Sequence, residues 1–321
     1  MRARTMMLLG ALMALSGPAI ADQINTGGAQ GAYHTAFCPP IAAALKDAYF
    51  NYTCTTSAGS GENLARVREN RRHVTLIQGD VWAAEAAANP ELLRQLTVVR
   101  RDIASECVYA VTTNPQIRSI GDIAKAASRI PIVLPPETSG AAATFRGLQK
   151  IDPEGLGRAR SNVTYAADAS RALEAALASP GAVAFFVQLP DPANSNFRLI
   201  AERKGRFVPV IDRAILRYEV GGQLVYVPES GPVTAGSWTR SGEDVTTACT
   251  PMVVVTGNPE ALPAGSTERK DQEDLIATLK AVDRSRLLPT SGTFDWLKKQ
   301  VRSYSRETVD RLIQIAEEAR R

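Results

Sequence analysis

The sequence predicts an α/β protein of two lobes, on three observations. Strand, small-residue turn and helix follow one another three times between Ile24 and Ala88. The same alternation restarts after about residue 114, with no linker of disordered composition in between. The chain has 321 residues, enough for about two domains at the usual ~100–200 residues each.

The elements follow in order. Ile24 opens a short strand that runs into Thr26-Gly27-Gly28-Ala29-Gln30-Gly31. A helix is expected from Pro39 or Pro40 to Ala48, since proline is tolerated in a first helical turn. Phe50, Tyr52, Cys54 and Thr56 alternate as a strand does. Ser57-Ala58-Gly59-Ser60-Gly61 then leads into a helix from Glu62 to about Asn70. Val74–Gln78 is the third strand, and Asp80 is placed to cap a helix over Val81–Ala88. Parallel strands with crossover helices put all three turns at the carboxyl edge of one sheet. Open α/β sheets bind ligands at that edge.

Leu96–Arg100 and Cys107–Thr113 read as further strands. A helix is expected over Ile117–Ala127, with Ser119 or Asp122 near its start, then a strand over Ile130–Pro135. Pro136-Glu137-Thr138-Ser139-Gly140 leads into a helix over Ala141–Gln149. Val163–Ala166, Ser170–Ala178 and Ala182–Val187 continue as strand, helix and strand. Late strands are expected at Leu224–Val227 and Thr250–Thr256, the second ending at Gly257-Asn258-Pro259. Helical periodicity returns with Leu275, Leu279 and Val282, and again over Glu307–Arg320.

The first residues have the layout of a secretory signal. Arg2 and Arg4 precede an uncharged apolar run, and Ala19-Ile20-Ala21 offers a cleavage site before Asp22. Residues 1–21 are therefore expected to be removed and the protein to work in the periplasm. Losing Arg2 and Arg4 lowers Lys+Arg from 37 to 35 against 33 Asp+Glu, a net charge of about +2. No basic stripe carries interleaved aromatics, so nucleic acid is not an expected partner.

Cys38, Cys54, Cys107 and Cys249 are an even set in an exported chain, which suggests disulfides. Three pairings are open at this point, with buried thiols as the alternative. No C-x-x-C occurs and His34 and His73 lack ligand spacing, so neither metal nor cofactor is expected. Gly59-Ser60-Gly61 is not a nucleophile elbow. The first turn lacks both the dinucleotide spacing and the phosphate-loop lysine. The chain is expected not to be an enzyme, with an exported hydrolase as the remaining catalytic alternative.

Several segments together resemble one family. Thr26-Gly27-Gly28-Ala29-Gln30-Gly31-Ala32-Tyr33 is similar to the TGG-x-x-G-x-Y opening of the TAXI solute-binding subunits of TRAP transporters. Thr56-Ser57-Ala58-Gly59-Ser60-Gly61-Glu62-Asn63-Leu64 resembles that family's S-x-G-S-x-E-N-L segment, and Ile77-Gln78-Gly79-Asp80-Val81 its Q-S-D turn. Glu137-Thr138-Ser139-Gly140-Ala141-Ala142-Ala143-Thr144 resembles its G-S-G-T-x-x-T helix start, and Ala184-Phe185-Phe186 its A-F-F strand. Val208–Asp212 and Cys249–Thr256 extend the likeness. The chain departs from the pattern at Asn25, where Gly is common, at Gly79, where Ser is usual, and at Gln188-Leu189-Pro190. Cys38 and Cys54 are not part of the motif.

The resemblance implies a type II periplasmic-binding-protein fold, two α/β lobes joined by crossing strands with a ligand cleft between. Lobe I would take 22–112 and 250–321, and lobe II 113–249. The crossing strands would bring Cys107 near Cys249. Cys38 would sit at a helix start beside Cys54. The resemblance further implies a monomeric receptor that hands its solute to TRAP-type membrane permease subunits. A periplasmic sensory module that reports occupancy to a signalling partner is the alternative.

Three corners would face the cleft. Helix N-termini favour an anion, so a small carboxylate-bearing solute is expected, and the family resemblance implies an amino acid or a dicarboxylate. Gly27, Gly28, Gly31 and Gly140 would let the backbone approach it. Ser57, Ser60, Thr138 and Ser139 would add hydroxyls, and Gln78 an amide. Tyr33 is expected to stack on or bond to the solute, with core packing as its other role, and Phe186 to line the far wall.

Overall fold

The computed structural model describes residues 21–236 and 241–289. The expected signal segment before Ala21 and the expected helix over Glu307–Arg320 lie outside the described residues. The chain opens with β1 (Asp22–Asn25), whose Ile24 is fully buried. One π-helical turn, Tyr33–Phe37, runs straight into α1 (Cys38–Asp47). Pro39 and Pro40 bring no N–H, so they interrupt the usual ladder; the turn before them is closed by Cys38 N–H donating to Tyr33 O. The helix therefore starts earlier than the prolines suggested.

β2 (Tyr52–Thr55), α2 (Ser60–Glu69), β3 (Val74–Gln78), α3 (Gly79–Ala88), α4 (Glu91–Gln95) and β4 (Leu96–Arg100) follow. After a short crossing come β5 (Ser105–Thr112), α5 (Ile120–Ala126), β6 (Ile132–Leu134), α6 (Gly140–Ile151), β7 (Val163–Tyr165), α7 (Ala169–Ala178) and β8 (Val183–Gln188). Ser119 and Asp122 form a reciprocal capping box on α5, and Ser139 Oγ accepts from Ala142 N–H at the start of α6. Then come α8 (Ser195–Glu202), β9 (Arg206–Pro209), α9 (Arg213–Leu216), a small hairpin of β10 (Glu219–Val220) and β11 (Gln223–Leu224), β12 (Val227–Pro232) and β13 (Asp244–Gly257). α10 (Thr267–Ala281) and α11 (Arg284–Leu287) close the described chain.

The first sheet runs β2-β1-β3-β13-β4 and the second β7-β6-β8-β5-β9. In each, the first three strands are parallel and the next is antiparallel to them. The antiparallel strand comes from outside the local βα run: β13 returns to the first sheet, and β5 enters the second straight from β4. This repeated second-first-third-intruder-fourth order is that of the type II periplasmic-binding-protein fold. Each sheet is covered on both faces. Ile41, Leu45 and Leu275 pack on one side of the first sheet and Val67, Val81 and Trp82 on the other. Phe145, Phe185 and Leu148 cover one face of the second sheet, and Tyr109, Phe186 and Phe197 the other.

β13 belongs to both sheets. Its first half pairs with β12 and β5, and its second half with β3 and β4. The sequence showed only Thr250–Thr256 of this strand, because Asp244, Thr246 and Thr247 break its apolar run; Asp244 and Thr246 are exposed and Thr247 is buried, bonded to Val210 N–H and Val108 O. The other crossing is the segment Arg101–Ala104. The lobe boundary expected near residue 112 moves there, because β5 hydrogen-bonds to β8 and β9.

Two disulfides staple this frame. Cys38–Cys54 ties the start of α1 to β2, with the Cα atoms 5.9 Å apart. Cys107–Cys249 joins β5 to β13 where the two strands lie directly opposite. The second bond closes the crossing strands at the point where the chain changes sheets.

Candidate functional site

The carboxyl ends of β1, β2 and β3 share one edge of the first sheet, and those of β6, β7 and β8 one edge of the second. The turns leaving those edges meet across the lobes. Gly59 caps α2 with φ of 131°, a conformation that suits glycine. A Cβ placed there would lie 3.5 Å from the Gly140 amide nitrogen and 3.7 Å from Thr138 O. The Gln78 side chain packs against Gly140, where any Cβ would collide with its Oε1. Gln78 Nε2 also reaches Thr144 Oγ1 of α6 at 3.5 Å. Ser60 Oγ accepts from Gln78 N–H at 3.4 Å. Ser60, Gln78, Ser139 and Gly140 are thus gathered at one interlobe seam.

The remaining predicted residues divide. Ser57 N–H donates to Gly27 O at 3.0 Å and Ser57 Oγ accepts from Gly59 N–H at 3.1 Å, so Ser57 holds the first two corners together. Gly28 and Gly31 lie exposed in the first turn, where Gly31 N–H closes on Gly28 O at 2.8 Å. Thr138 is exposed beside the seam. Phe186 does not line a wall. It stacks on Tyr109 at 5.3 Å between centroids and meets Phe197 edge-on, inside the lobe II core. Both faces of that sheet are covered, so either phenylalanine of the A-F-F strand ends in a core.

Asp80 is not the helix cap the sequence suggested. Gln78 holds the cap position of α3, and Asp80 is buried one step inside the first turn. Its Oδ1 accepts from Val81 N–H at 2.8 Å. Its Oδ2 accepts from two hydroxyls of the other lobe, Thr144 at 2.5 Å and Tyr226 at 2.9 Å. Thr144 and Tyr226 are themselves buried. Burial raises the Asp80 carboxyl above its ordinary range, against the pull of those hydroxyl bonds.

Tyr33 turns inward and donates to Glu106 Oε2 at 2.5 Å. Glu106 stands on β5, one residue before the Cys107 staple. Burial pushes its carboxyl up to about 8; the bond from Tyr33 opposes this and the charge of Asp80 adds to it. Opposite Glu106 across the strand pair is Thr250, whose buried Oγ1 has no hydrogen-bond partner. A Cβ on Gly79 would lie 2.9 Å from that oxygen and 2.7 Å from Pro251 O. The serine usual at this position in the similar family would not fit here. Glu106 and Tyr226 carried no turn or motif signal in the sequence, and Thr144 and Thr250 entered only as members of resembling segments, with no role attached. A charged residue just before the apolar run of β5 was the one visible hint.

The helix N-termini differ in what they can offer an anion. At α2, Glu62 accepts from Ala58 N–H at 2.7 Å and pairs with Arg66 at 2.5 Å. That backbone bond holds its carboxyl below the usual range, so an anion is already in place. At α3, the Asp80 carboxyl occupies the first turn from within, accepting from Val81 N–H, although burial raises it. The first turn of α6 has no acidic residue and a hydroxyl cap, Ser139. An incoming carboxylate is best received there.

A separate groove of about 710 Å³ opens between the lobes beside α1, lined by Gln30, Thr35, Pro39, Gln188, Asp191 and Leu288 among others. None of the predicted site residues lines it. Among the described residues, no group of three His, Cys, Asp or Glu is placed to hold a metal ion, and no helix is long and apolar enough to cross a membrane.

No family model and no curated protein matches the chain. Solved structures do. The chain is similar to the GluR0 ligand-binding core in complex with L-glutamate, at 11% identity and TM-score 0.46, over 88% of this chain and 99% of that one. It is similar to a phosphate-bound putative phosphate ABC transporter substrate-binding protein from Clostridium perfringens, at 13% identity and TM-score 0.43, over 84% and 100%. It is also similar to a histidine kinase sensor domain, at 10% identity and TM-score 0.46, over 87% and 95%. The repeated strand order, rather than these distant likenesses, assigns the type II periplasmic-binding-protein fold.

Proposed function

We propose that the protein is a periplasmic solute-binding receptor. It captures a small carboxylate-bearing solute, an amino acid or a dicarboxylate, between its lobes and delivers it to a TRAP-type membrane permease. The observation that carries this reading is the meeting of Gly59 with Ser139-Gly140. Two small-residue corners from separate sheets face each other, and the contact beside them is made of buried polar bonds from Asp80 and Gln78 with small alanines, Ala83 and Ala143, packed at its margin. Such a seam, without large apolar side chains of its own, can exchange its polar bonds for bonds to a solute and water, whereas a large hydrophobic interface would hold the lobes shut. The crossing segment and β13 give the lobes a hinge, and a solute that touches both corners would favour the closed arrangement. Ser139 N–H and Ala142 N–H are held by Pro136 O and the Ser139 hydroxyl, so the carboxylate is received by the Gly140 and Ala141 N–H groups between them. The resemblance of the first corner, the second corner and the α6 start to TAXI subunits supports the transport partner.

Calorimetric titration with the amino acids, small dicarboxylates and inorganic phosphate tests the reading. A carboxylate-bearing solute should bind, and Ser139→Ala with Gly140→Ala should remove that binding. Capture of a solute without any acidic group would contradict it.

A further inference from the structure

The receptor reading leaves open which carboxylate-bearing solute fits. The basic groups of lobe I at the first two corners are engaged, Arg66 with Glu62, Asn25 and Thr56 O, and His34 with Thr26. The charge of Asp80 acts on the Glu106 carboxyl and raises it further. The groups that act on Glu106 are Tyr33, from the turn before α1, and Asp80, from α3; no lysine, arginine or histidine among the described residues does. Asp80 spends its oxygens on Val81, Thr144 and Tyr226. Among the described residues Glu106 accepts only from Tyr33, on Oε2, and it remains half-buried rather than sealed.

A second observation points to the same place. Thr250 is fully buried and its Oγ1 is unpartnered. Directly opposed residues of an antiparallel pair send their side chains to the same face. Thr250 and Glu106 are such a pair, and the Cys107–Cys249 bond next to them fixes the register. A half-used carboxylate and an orphaned hydroxyl therefore share one face of the strand pair at the hinge.

We propose that Glu106 is a specificity-determining residue that receives a cationic group of the solute, so that the cleft selects an α-amino acid over a dicarboxylate or phosphate. This rests on the receptor reading above. The ammonium donates to Glu106 and the Thr250 hydroxyl, and the carboxylate goes to the start of α6. An uncompensated carboxyl in a buried site favours its neutral form, and an ammonium beside it favours the charged one. Capture near neutral pH therefore releases the Glu106 proton to solvent, while the ammonium keeps its own.

The test uses the wild-type protein, Glu106→Gln and Tyr33→Phe, each checked for a cooperative melting transition. They are titrated with the twenty amino acids and with succinate, 2-oxoglutarate and inorganic phosphate. The wild type should prefer an amino acid to its deaminated counterpart by about tenfold or more. Glu106→Gln should lose about 10- to 100-fold for the amino acid and hold the deaminated counterpart at least as well. Titration of the wild type in buffers of different ionisation enthalpy should report release of about one proton at pH 7, and affinity should rise from pH 6 to 8. If Glu106→Gln does not fold, the wild-type proton count still decides. Equal binding of amino acid and dicarboxylate, or binding without proton release, overturns the role of Glu106 and leaves the receptor standing. Failure of every solute to bind counts against the receptor and this inference together.

Discussion

Gly59 of lobe I lies against Gly140 of lobe II, with room for one van der Waals contact and no side chain between them. The positive φ of Gly59, 131°, is what lets α2 begin at that distance. Gly59→Ala would force an L-residue into a strained conformation at a cost of roughly 1–2 kcal/mol. Urea unfolding should show that loss. Gly61→Ala, where a Cβ meets nothing within 4 Å, should show little change.

Asp80 bridges the lobes by accepting from Thr144 and Tyr226. Hydrogen bonds to a charged group are worth about 1.5–3 kcal/mol each. Tyr226→Phe should weaken the closed arrangement by about that amount. Small-angle scattering of the solute-free variant should give a larger radius of gyration than the wild type.

The two staples constrain loops of very different length, with separations of 16 and 142 residues. Loop-closure entropy gives about 3 kcal/mol for the short loop and about 5 for the long one. The double serine variant at Cys107 and Cys249 should lose more stability than that at Cys38 and Cys54. It should also loosen the hinge, seen as faster amide exchange along β13. An equal loss for both pairs would argue against the long bond setting the frame.

The Glu106 carboxyl lies near 8 in the folded protein against an ordinary 4.5, and Asp80 is shifted the same way. A raised carboxyl binds its proton more tightly when folded. Its stabilisation is present below the ordinary value and is lost as pH rises through the folded value. The wild type should therefore lose thermal stability between about pH 5 and 8. The melting temperature of Glu106→Gln should gain on the wild type across that range. Parallel pH profiles would contradict the raised Glu106 carboxyl.

The corners were legible in the sequence because glycine, serine and proline clusters mark turns by their local chemistry. Alternation of Phe50, Tyr52, Cys54 and Thr56 marked β2 for the same local reason, and short apolar runs marked β3 and β8. Glu106 was not legible, since its surroundings are made by Tyr33, Asp80 and Thr250, which only the crossing of β5 and β13 assembles. The anion expectation treated the three corners alike. Glu62 and Asp80 already supply acid at α2 and α3, a difference of side-chain direction that spacing does not reveal. Phe186 was ambiguous because a strand buried on both faces hides which side meets the ligand.

Small-angle scattering of the wild type, with and without the solute that titration selects, tests the lobe-closure mechanism most directly. The saturated protein should be more compact, and the change should vanish in the Ser139→Ala, Gly140→Ala variant. Tight binding with superimposable scattering curves would contradict capture by two lobes that close on their guest.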